Sequence, residues 1–505
     1  MSLRFFNTLS GQKEDFSPIR PGQVTLYVCG VTVYDHCHIG HARGAVVFDV
    51  LRRHLESPRH GFKVIHVRNI TDVDDKIIDR ARQWGQTLRG LTPSGLPDLR
   101  GRVTQVAQHY TESFQRDFAR LGLLRPTHEP RATEYIPKMV DFIQGLVQKG
   151  VAYEGSGGLY FSVREFAKRN VYGQLSHQDP DQMREGVRKE PGEGKRDPLD
   201  FALWKKARPE EPSWDSPWGP GRPGWHIECS TMSTALLGDT FDIHGGGQDL
   251  IFPHHENELA QSVGAGKKFA RYWLHNGLLT VNGQKMSKSL GNIVQISGEN
   301  GILDHSSADV LKLFFLSAHY RSPLDLNWEI LERQTTHAYE RLSDFVHEVE
   351  MLPENGEVEQ SYFEKEAREK LFDAMDDDLN TPKALGALYK LVDQTTAWLE
   401  EAKREGLFVA KPETLSPSLQ QHCRWLKSAG RSVREFGEKT LGFSFPLSAL
   451  EQQLGGVQVE VLKKERDEAR RRQDYPKADQ IRRQLVDMGY IVEDTAAGTL
   501  VRKRA

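Results

Sequence analysis

Apolar residues in the first 80 positions switch between two periods. The run V-T-L-Y-V at 24–28 is short and β-rich, residues 42–55 carry apolar positions at helical spacing, and K-V-I-H-V at 63–67 reads as a strand again. Strand, helix and strand within about 45 positions predict a βαβ unit of a parallel sheet. Residues 83–150 read as helices, broken by the Gly/Pro-rich stretch at 90–97. From about 175 to 224 the chain is charged and rich in Pro and Gly, which predicts a long surface excursion without core elements. Strand patterns resume at F-D-I-H, 241–244, and at G-L-L-T-V, 277–281. From 306 the pattern is helical, one helix starting at L-N-T-P, 379–382. The chain ends in helices at 461–474 and 476–488 and a hairpin at 490–501 that turns at Ala497-Gly498. The expected architecture is α/β. It comprises a Rossmann-like parallel-sheet domain over 1–305 with an inserted segment at about 120–224, a helical bundle over 306–450, and a small unit over 451–505.

Three stretches carry candidate chemistry. The first is C-G-V-T-V-Y-D-H-C-H-I-G-H at 29–41. His38 to His41 fall between the first strand and the first helix, where backbone N–H groups and the helix dipole favour an anion. Two imidazoles can donate to a nucleotide triphosphate, and Gly40 allows close approach to the backbone. The second is W-H-I-E-C at 225–229, followed by P-H-H-E-N-E at 253–258. If Pro253 opens a helix, His254 and Glu258 lie four apart on one face. Together with Cys229 and Cys29 they make up two thiolates, an imidazole and a carboxylate, all donor types that zinc accepts. Spacing alone leaves His255 as an alternative to His254. The third is K-M-S-K-S at 285–289, whose two lysines on a turn-rich loop can neutralise a triphosphate as charge moves to a leaving pyrophosphate. The polar turn N-I-T-D-V-D-D-K at 69–76 sits where such sheets hold ligands, although Asp72, Asp74 and Asp75 equally suit a helix start.

Composition narrows the options. A formal charge of −3 over 505 residues, with 38% hydrophobic and 27% charged residues, excludes a strongly basic nucleic-acid coat and wholesale disorder. No run approaches the roughly 18 apolar residues of a membrane span and the N-terminus has no secretory pattern, so a cytoplasmic location is expected. Four cysteines, at 29, 37, 229 and 423, do not suggest a disulfide framework, and Cys37 and Cys423 read as structural or incidental thiols. Residues 461–505 hold 12 Lys and Arg against 8 Asp and Glu, a local balance of +4 in a chain of −3. That balance suits phosphate contacts.

H-I-G-H at 38–41 and K-M-S-K-S at 285–289, in this order, resemble the paired signatures of class I aminoacyl-tRNA synthetases. The flanking stretches Y-V-C-G-V-T-V-Y-D (27–35), R-N-I-T-D-V-D-D-K (68–76), G-W-H-I-E-C-S (224–230) and F-D-I-H-G-G-G (241–247) resemble the cysteinyl-tRNA synthetases within that class. The resemblance spans essentially the whole chain and implies activation of L-cysteine by ATP to cysteinyl-adenylate, followed by transfer to the 3′ end of tRNA(Cys). It assigns one zinc ion to Cys29, Cys229, His254 and Glu258, and catalytic roles to His38, His41, Lys285 and Lys288. Gly40, His41 and Lys288 would contact ATP, with Mg²⁺ accompanying it. Thr71, Trp225 and His244 would line the cysteine pocket. Domain 1–305 would be catalytic and the unit 451–505 would bind the anticodon, in a protein acting as a monomer. Zinc also has a physical rationale, because apolar packing separates cysteine from serine by only about 1 to 3 kcal/mol whereas the metal favours thiolate over hydroxyl. A ligase of the same catalytic fold that joins cysteine to an amino sugar is disfavoured by the 180 residues after position 325 (505 − 325).

Overall fold

The V-T-L-Y-V run forms β1 (Gln23–Val28), an inner strand of a four-stranded, all-parallel sheet. β2 (Lys63–Arg68) flanks it on one side; β3 (Thr240–Gly247) and then β4 (Phe269–Asn276) lie on the other. Tyr27 pairs with both Val67 and His244, and His244 with Trp273, so one register row crosses the sheet. The computed structural model describes residues 2–88, 98–179, 194–287, 290–298, 301–352, 359–405, 416–446, 449–472, 474–487, 490–495 and 498–503. The predicted turn at 90–97, all of residues 180–193, and Ala497 lie outside these.

Helix α1 (Ile39–Glu56) links β1 to β2 and starts three residues earlier than periodicity predicts. The His38 ring is the reason: it caps the helix by accepting the Gly40 N–H. This moves the helix start into the H-I-G-H tetrapeptide.

The segment between β2 and β3 contains helices Asp75–Leu88, Leu99–Arg120 and Ile136–Gln148 and an antiparallel sheet of Ala152–Gly155, Gly158–Phe161, Phe201–Lys206 and Gly221–Pro223. The expected coreless excursion over 175–224 is therefore corrected. Leu203 and Trp204 are fully buried and share one core with Tyr27, Val67, Phe241 and Trp273. F-A-L-W is a short apolar run between charged flanks, and tertiary burial rather than local composition makes it a strand. Asp72, Asp74 and Asp75 all have structural partners. Asp72 accepts from Thr133, Asp74 from the Lys76 N–H, and Asp75 pairs with Lys205 and Arg222.

From Ser307, which N-caps Ala308–Leu316, the chain is helical through Thr336–Glu350, Tyr362–Asp376, Thr381–Arg404 and Pro417–Phe436. Asn380 caps the helix predicted at 379–382. Two units result, Met1–Ser444 and Phe445–Ala505. The second has helices Ala449–Arg471 and Tyr475–Asp487 and a hairpin of Tyr490–Thr495 with Gly498–Lys503, packed around Val459, Ile481, Leu485 and Val492.

His66, at the centre of β2, is 5% exposed, and neither ring nitrogen has a hydrogen-bond partner among the described residues. Burial, with the charges of Arg68 and Arg52, pushes its pKa well below the usual range, so the folded chain holds it neutral. The unfolded chain gains a proton below pH ~6.5, so this histidine withdraws stability as pH falls through that value. His66→Phe is expected to reduce the stability lost between pH 8 and pH 5 by about 2 kcal/mol, read from thermal melts at the two pH values. An unchanged pH dependence in the variant would show that His66 titrates in the fold.

Candidate active site

β1 and its two flanking turns bring the sequence-predicted residues together. β1 ends at Val28, and Cys29 follows at the carboxyl edge of the sheet, its N–H donating to Gly245 O at the end of β3 (3.1 Å). Gly30 must be glycine: a Cβ there would lie 1.7 Å from Asn69 O, while the Asn69 side chain accepts the Gly30 N–H at 2.9 Å. Helix α2 (Trp225–Leu237) carries Cys229. Helix α3 (Glu256–Gly264) carries Glu258, and an irregular turn over Ile251–His255 precedes it. The helix therefore opens at Glu256 and not at Pro253. His254 nonetheless reaches Glu258, with Nε2 3.0 Å from Oε1.

Cys29, Cys229, His254 and Glu258 offer donor atoms within 4.8 Å of one another. The Sγ atoms of the two cysteines are 3.7 Å apart, and Cys29 Sγ is 3.4 Å from Glu258 Oε1. A tetrahedral ion with Zn–S bonds of ~2.3 Å and Zn–O bonds of ~2.0 Å sets S···S near 3.8 Å and S···O near 3.5 Å, so the set fits zinc. Burial raises the Cys229 thiol, but hydrogen bonding from Cys29 and the neighbouring His254 bring it down to about 6. Burial would lower His254, yet Glu258 and Cys229 raise it to about 10. Burial would raise Glu258, yet His244 and His254 lower it to about 2. Burial, with Cys229 and Glu258 beside it, pushes the Cys29 thiol well above its usual value, so without a metal the cluster sets one thiolate and one carboxylate against an imidazolium, and a bound ion would displace the protons of Cys29 and His254.

A second donor set, Cys29, His244, His255 and Glu258, shares two members with the first. His244 Nε2 bonds Glu258 Oε2 at 2.9 Å. His255 Nε2 lies 3.3 Å from Cys29 Sγ, and its Nδ1 is 2.8 Å from His275 Nε2. His226 Nδ1 stands 3.0 Å from His254 Nδ1. These rings orient the first set from behind, as outer partners of a metal centre do. Motif reasoning missed His226, His255 and His275 in this role. Their only sequence signal is the local density of histidine, because strands β3 and β4, the start of α2 and the turn before α3 have to pack together before 226, 244, 255 and 275 meet.

Of the three pocket candidates, Trp225 is 38% exposed and stacks on His254 with centroids 4.0 Å apart. His244 is fully buried behind Glu258, and Thr71 is buried with its hydroxyl donated to Glu228 Oε2 at 2.8 Å.

At the next turn His38 and His41 stack with centroids 3.9 Å apart. His38 Nδ1 accepts the Gly40 N–H (3.1 Å), and His41 Nδ1 accepts the His38 N–H (3.3 Å). Each ring therefore carries its proton on Nε2. Burial lowers both pKa values; His41 falls to about 3, helped by the proximity of His38 and Lys76. At neutral pH these are two neutral N–H donors at a helix N-terminus.

The K-M-S-K-S stretch reaches this turn. A Cβ on Gly40 would lie 3.2 Å from Met286 Cε, and Lys285 stands exposed in strand Gln284–Lys285. Just after that stretch, the Ile39 N–H donates to Val294 O and the Ile296 N–H to Cys37 O, both at 3.0 Å. Lys288 lies outside the described residues.

Comparison with known proteins places the chain in a family. Residues 15–336 match the class I (C) tRNA synthetase catalytic domain, and residues 370–408 match the DALR domain. A cysteine–tRNA ligase of Persephonella marina is 44% identical, with all of both chains covered. One from Geobacter metallireducens is 45% identical over 99% of each chain. Among solved structures, methionyl-tRNA synthetase of Mycobacterium tuberculosis in complex with methionyl-adenylate superposes with a TM-score of 0.62 at 15% identity, covering 84% of this chain and 92% of that one. That likeness concerns the fold.

Proposed function

This chain belongs to the cysteine–tRNA ligase family of class I aminoacyl-tRNA synthetases, and from that premise we propose how its own residues carry out the ligation of cysteine to tRNA. In the first step the cysteine carboxylate attacks the α-phosphorus of ATP, forming cysteinyl-adenylate and expelling pyrophosphate. In the second, a terminal ribose hydroxyl of tRNA(Cys) attacks the acyl carbon and releases AMP.

His38 and His41 donate from Nε2 to the triphosphate at the start of α1, where the helix dipole adds to the attraction. Gly40 keeps that surface open. Lys285 and Lys288 neutralise the phosphates and stabilise charge moving to pyrophosphate, with Mg²⁺ arriving on ATP. Positioning and charge stabilisation suffice for these transfers, so no strong general base is required.

Cys29, Cys229, His254 and Glu258 would hold a zinc ion, whose chemistry is to bind a thiolate far better than a hydroxyl. Glu258 is fixed by His244, and Trp225 stacks on His254 and flanks the amino acid. Thr71, through Glu228, keeps α2 in register beside Cys229. We assign catalysis to 1–305, a helical bundle to 306–450 and anticodon contact to 451–505 with its excess of basic residues. The DALR match at 370–408 supports a tRNA partner. No helix among the described residues is long and apolar enough to cross a membrane. We assign a monomer working in the cytoplasm.

The observation that carries this reading is that one strand, β1, ends in the four-residue donor cluster and leads, nine residues on (38 − 29), into the His38–His41 turn. The test is ATP–pyrophosphate exchange with single amino acids, followed by acceptor comparison. Exchange dependent on cysteine and not on serine, with tRNA(Cys) charged, is expected. Charging of an amino sugar instead of tRNA, or exchange indifferent to the amino acid, would overturn it.

A further inference from the structure

A second group of metal-type donors lies away from the active site, at the other end of α1. His54, in the last turn of that helix, is fully buried. Its Nε2 is 2.9 Å from Asp376 Oδ1, and His60 Nε2 is 2.8 Å from the same oxygen. The two Nε2 atoms face each other at 3.3 Å, with the rings edge to face (4.9 Å, 85°). Asp376 is also fully buried and ends helix Tyr362–Asp376. We propose that His54, His60 and Asp376 form a second divalent-metal site, of the zinc class, that clips the end of α1 to the helical part of the chain.

Four observations support it. The donors come from two stretches more than 300 positions apart, the end of α1 with its following turn and the end of helix Tyr362–Asp376, and they converge within 4.8 Å of one another. Ligands at ~2.0–2.1 Å around a tetrahedral ion stand about 3.3 Å apart, which is the His54–His60 separation, and the Asp376 distances open to it by a few tenths of an ångström. The carboxylate is held as a ligating one should be: Arg59 Nε grips the far oxygen, Oδ2, at 2.8 Å, leaving Oδ1 to the imidazoles. His60 is fixed by stacking flat on Phe62 (5.9 Å, 2°).

Charge also permits it. Arg59 adds one positive charge, but Asp373 answers it at 3.2 Å, and α1 presents the negative end of its dipole. Burial lowers the His54 pKa and so keeps the ring in its ligating, neutral form. Two imidazoles and one carboxylate oxygen suit zinc, cobalt or nickel rather than magnesium or calcium. Unlike the active-site cluster, this set contains no sulfur.

That difference makes the two sites separable. The full chain, stripped with chelator, is titrated with Co²⁺. The wild type is expected to take two equivalents, one showing a thiolate-to-cobalt charge-transfer band and one showing only d–d absorption. His60→Gln and Asp376→Asn should keep the charge-transfer equivalent and bind the other at least about 100-fold more weakly. Zn²⁺ added beyond the first equivalent should raise the melting temperature of the wild type and not of His60→Gln. A single equivalent in the wild type, or a second one unaffected by both substitutions, would overturn the proposal. Because the charge-transfer band reports Cys29 and Cys229 separately, loss of that band alone would count against the cysteine site and leave this one standing.

Discussion

Cys229→Ser is expected to lower cysteine-dependent pyrophosphate exchange by at least about 100-fold, to reduce the zinc content of the purified chain, and to leave ATP binding unchanged. The substitution removes one sulfur from a four-donor set and little else. Cys229 is 1% exposed, and serine fits its space. The local environment brings this thiol down to about 6, so it is largely ionised at neutral pH, whereas a serine hydroxyl stays protonated and is a poor partner for a soft ion. Outer partners of metal ligands commonly cost 10- to 100-fold when removed, and a ligand itself sits at or beyond the top of that range. ATP should be unaffected because its proposed contacts, His38, Gly40 and His41, belong to a turn held by backbone bonds from the Ile39 N–H to Val294 O and from the Ile296 N–H to Cys37 O rather than by the cluster. Cys423→Ser, at a buried thiol in helix Pro417–Phe436, should leave exchange intact. Unchanged exchange in Cys229→Ser would remove the cluster from cysteine selection.

The βαβ core and the later helices were legible because their periodicities are local. The strand at 24–28, the helix behind it and the cap at Asn380 each follow from fewer than about 20 consecutive residues. The donor set was legible only through its motifs. Cysteine, histidine and glutamate at 29, 229, 254 and 258 carry no local pattern that unites them, and spacing left His254 and His255 equal. The structure keeps both within reach of the cluster: His254 Nε2 lies 3.0 Å from Glu258 Oε1 and His255 Nε2 lies 3.3 Å from Cys29 Sγ, so each belongs to a donor set. What the sequence concealed was burial that depends on remote partners. Phe201 to Trp204 became a core strand because a sheet edge and Tyr27, Val67 and Trp273 wait for them. His54, His60 and Asp376 meet across more than 300 positions, a separation that no window-based pattern detects.

The same long-range logic gives the second large expected effect. Arg43→Met should destabilise the chain by about 3 kcal/mol, lower the melting temperature of the Met1–Ser444 unit by roughly 3 °C, and reduce the exchange rate as well. Arg43 lies in the first turns of α1, is fully buried, and burial lowers its pKa only to about 10, so it remains a cation. Its guanidinium donates to Gly277 O (2.9 Å), Leu278 O (2.7 Å) and Ser322 O (2.6 Å), with Tyr320 O at 3.5 Å. Methionine matches the stem but supplies no donor. Three of these carbonyls keep another partner, since Asn276 Nδ2 reaches Gly277 O, the Leu324 N–H reaches Leu278 O and the Gly277 N–H reaches Tyr320 O. Ser322 O has no other donor among the described residues. The loss is therefore several charge-assisted bonds and one orphaned carbonyl, offset by relief from burying a charge, which sets the estimate well below a simple sum. Arg43→Lys should fall between the two, because an ammonium keeps the charge but cannot span the carbonyls of both segments. The exchange rate should follow, because Leu278 leads directly into Leu279–Val281 and the strand that presents Lys285, so Arg43 fixes the lysine stretch relative to the His38–His41 turn on its own helix. Calorimetry and pyrophosphate exchange on the two variants measure both effects. A melting temperature unchanged in Arg43→Met would show that the carbonyls find other donors, and a normal exchange rate with a lowered melting temperature would show that the two motifs are aligned by the 294–296 bridge alone.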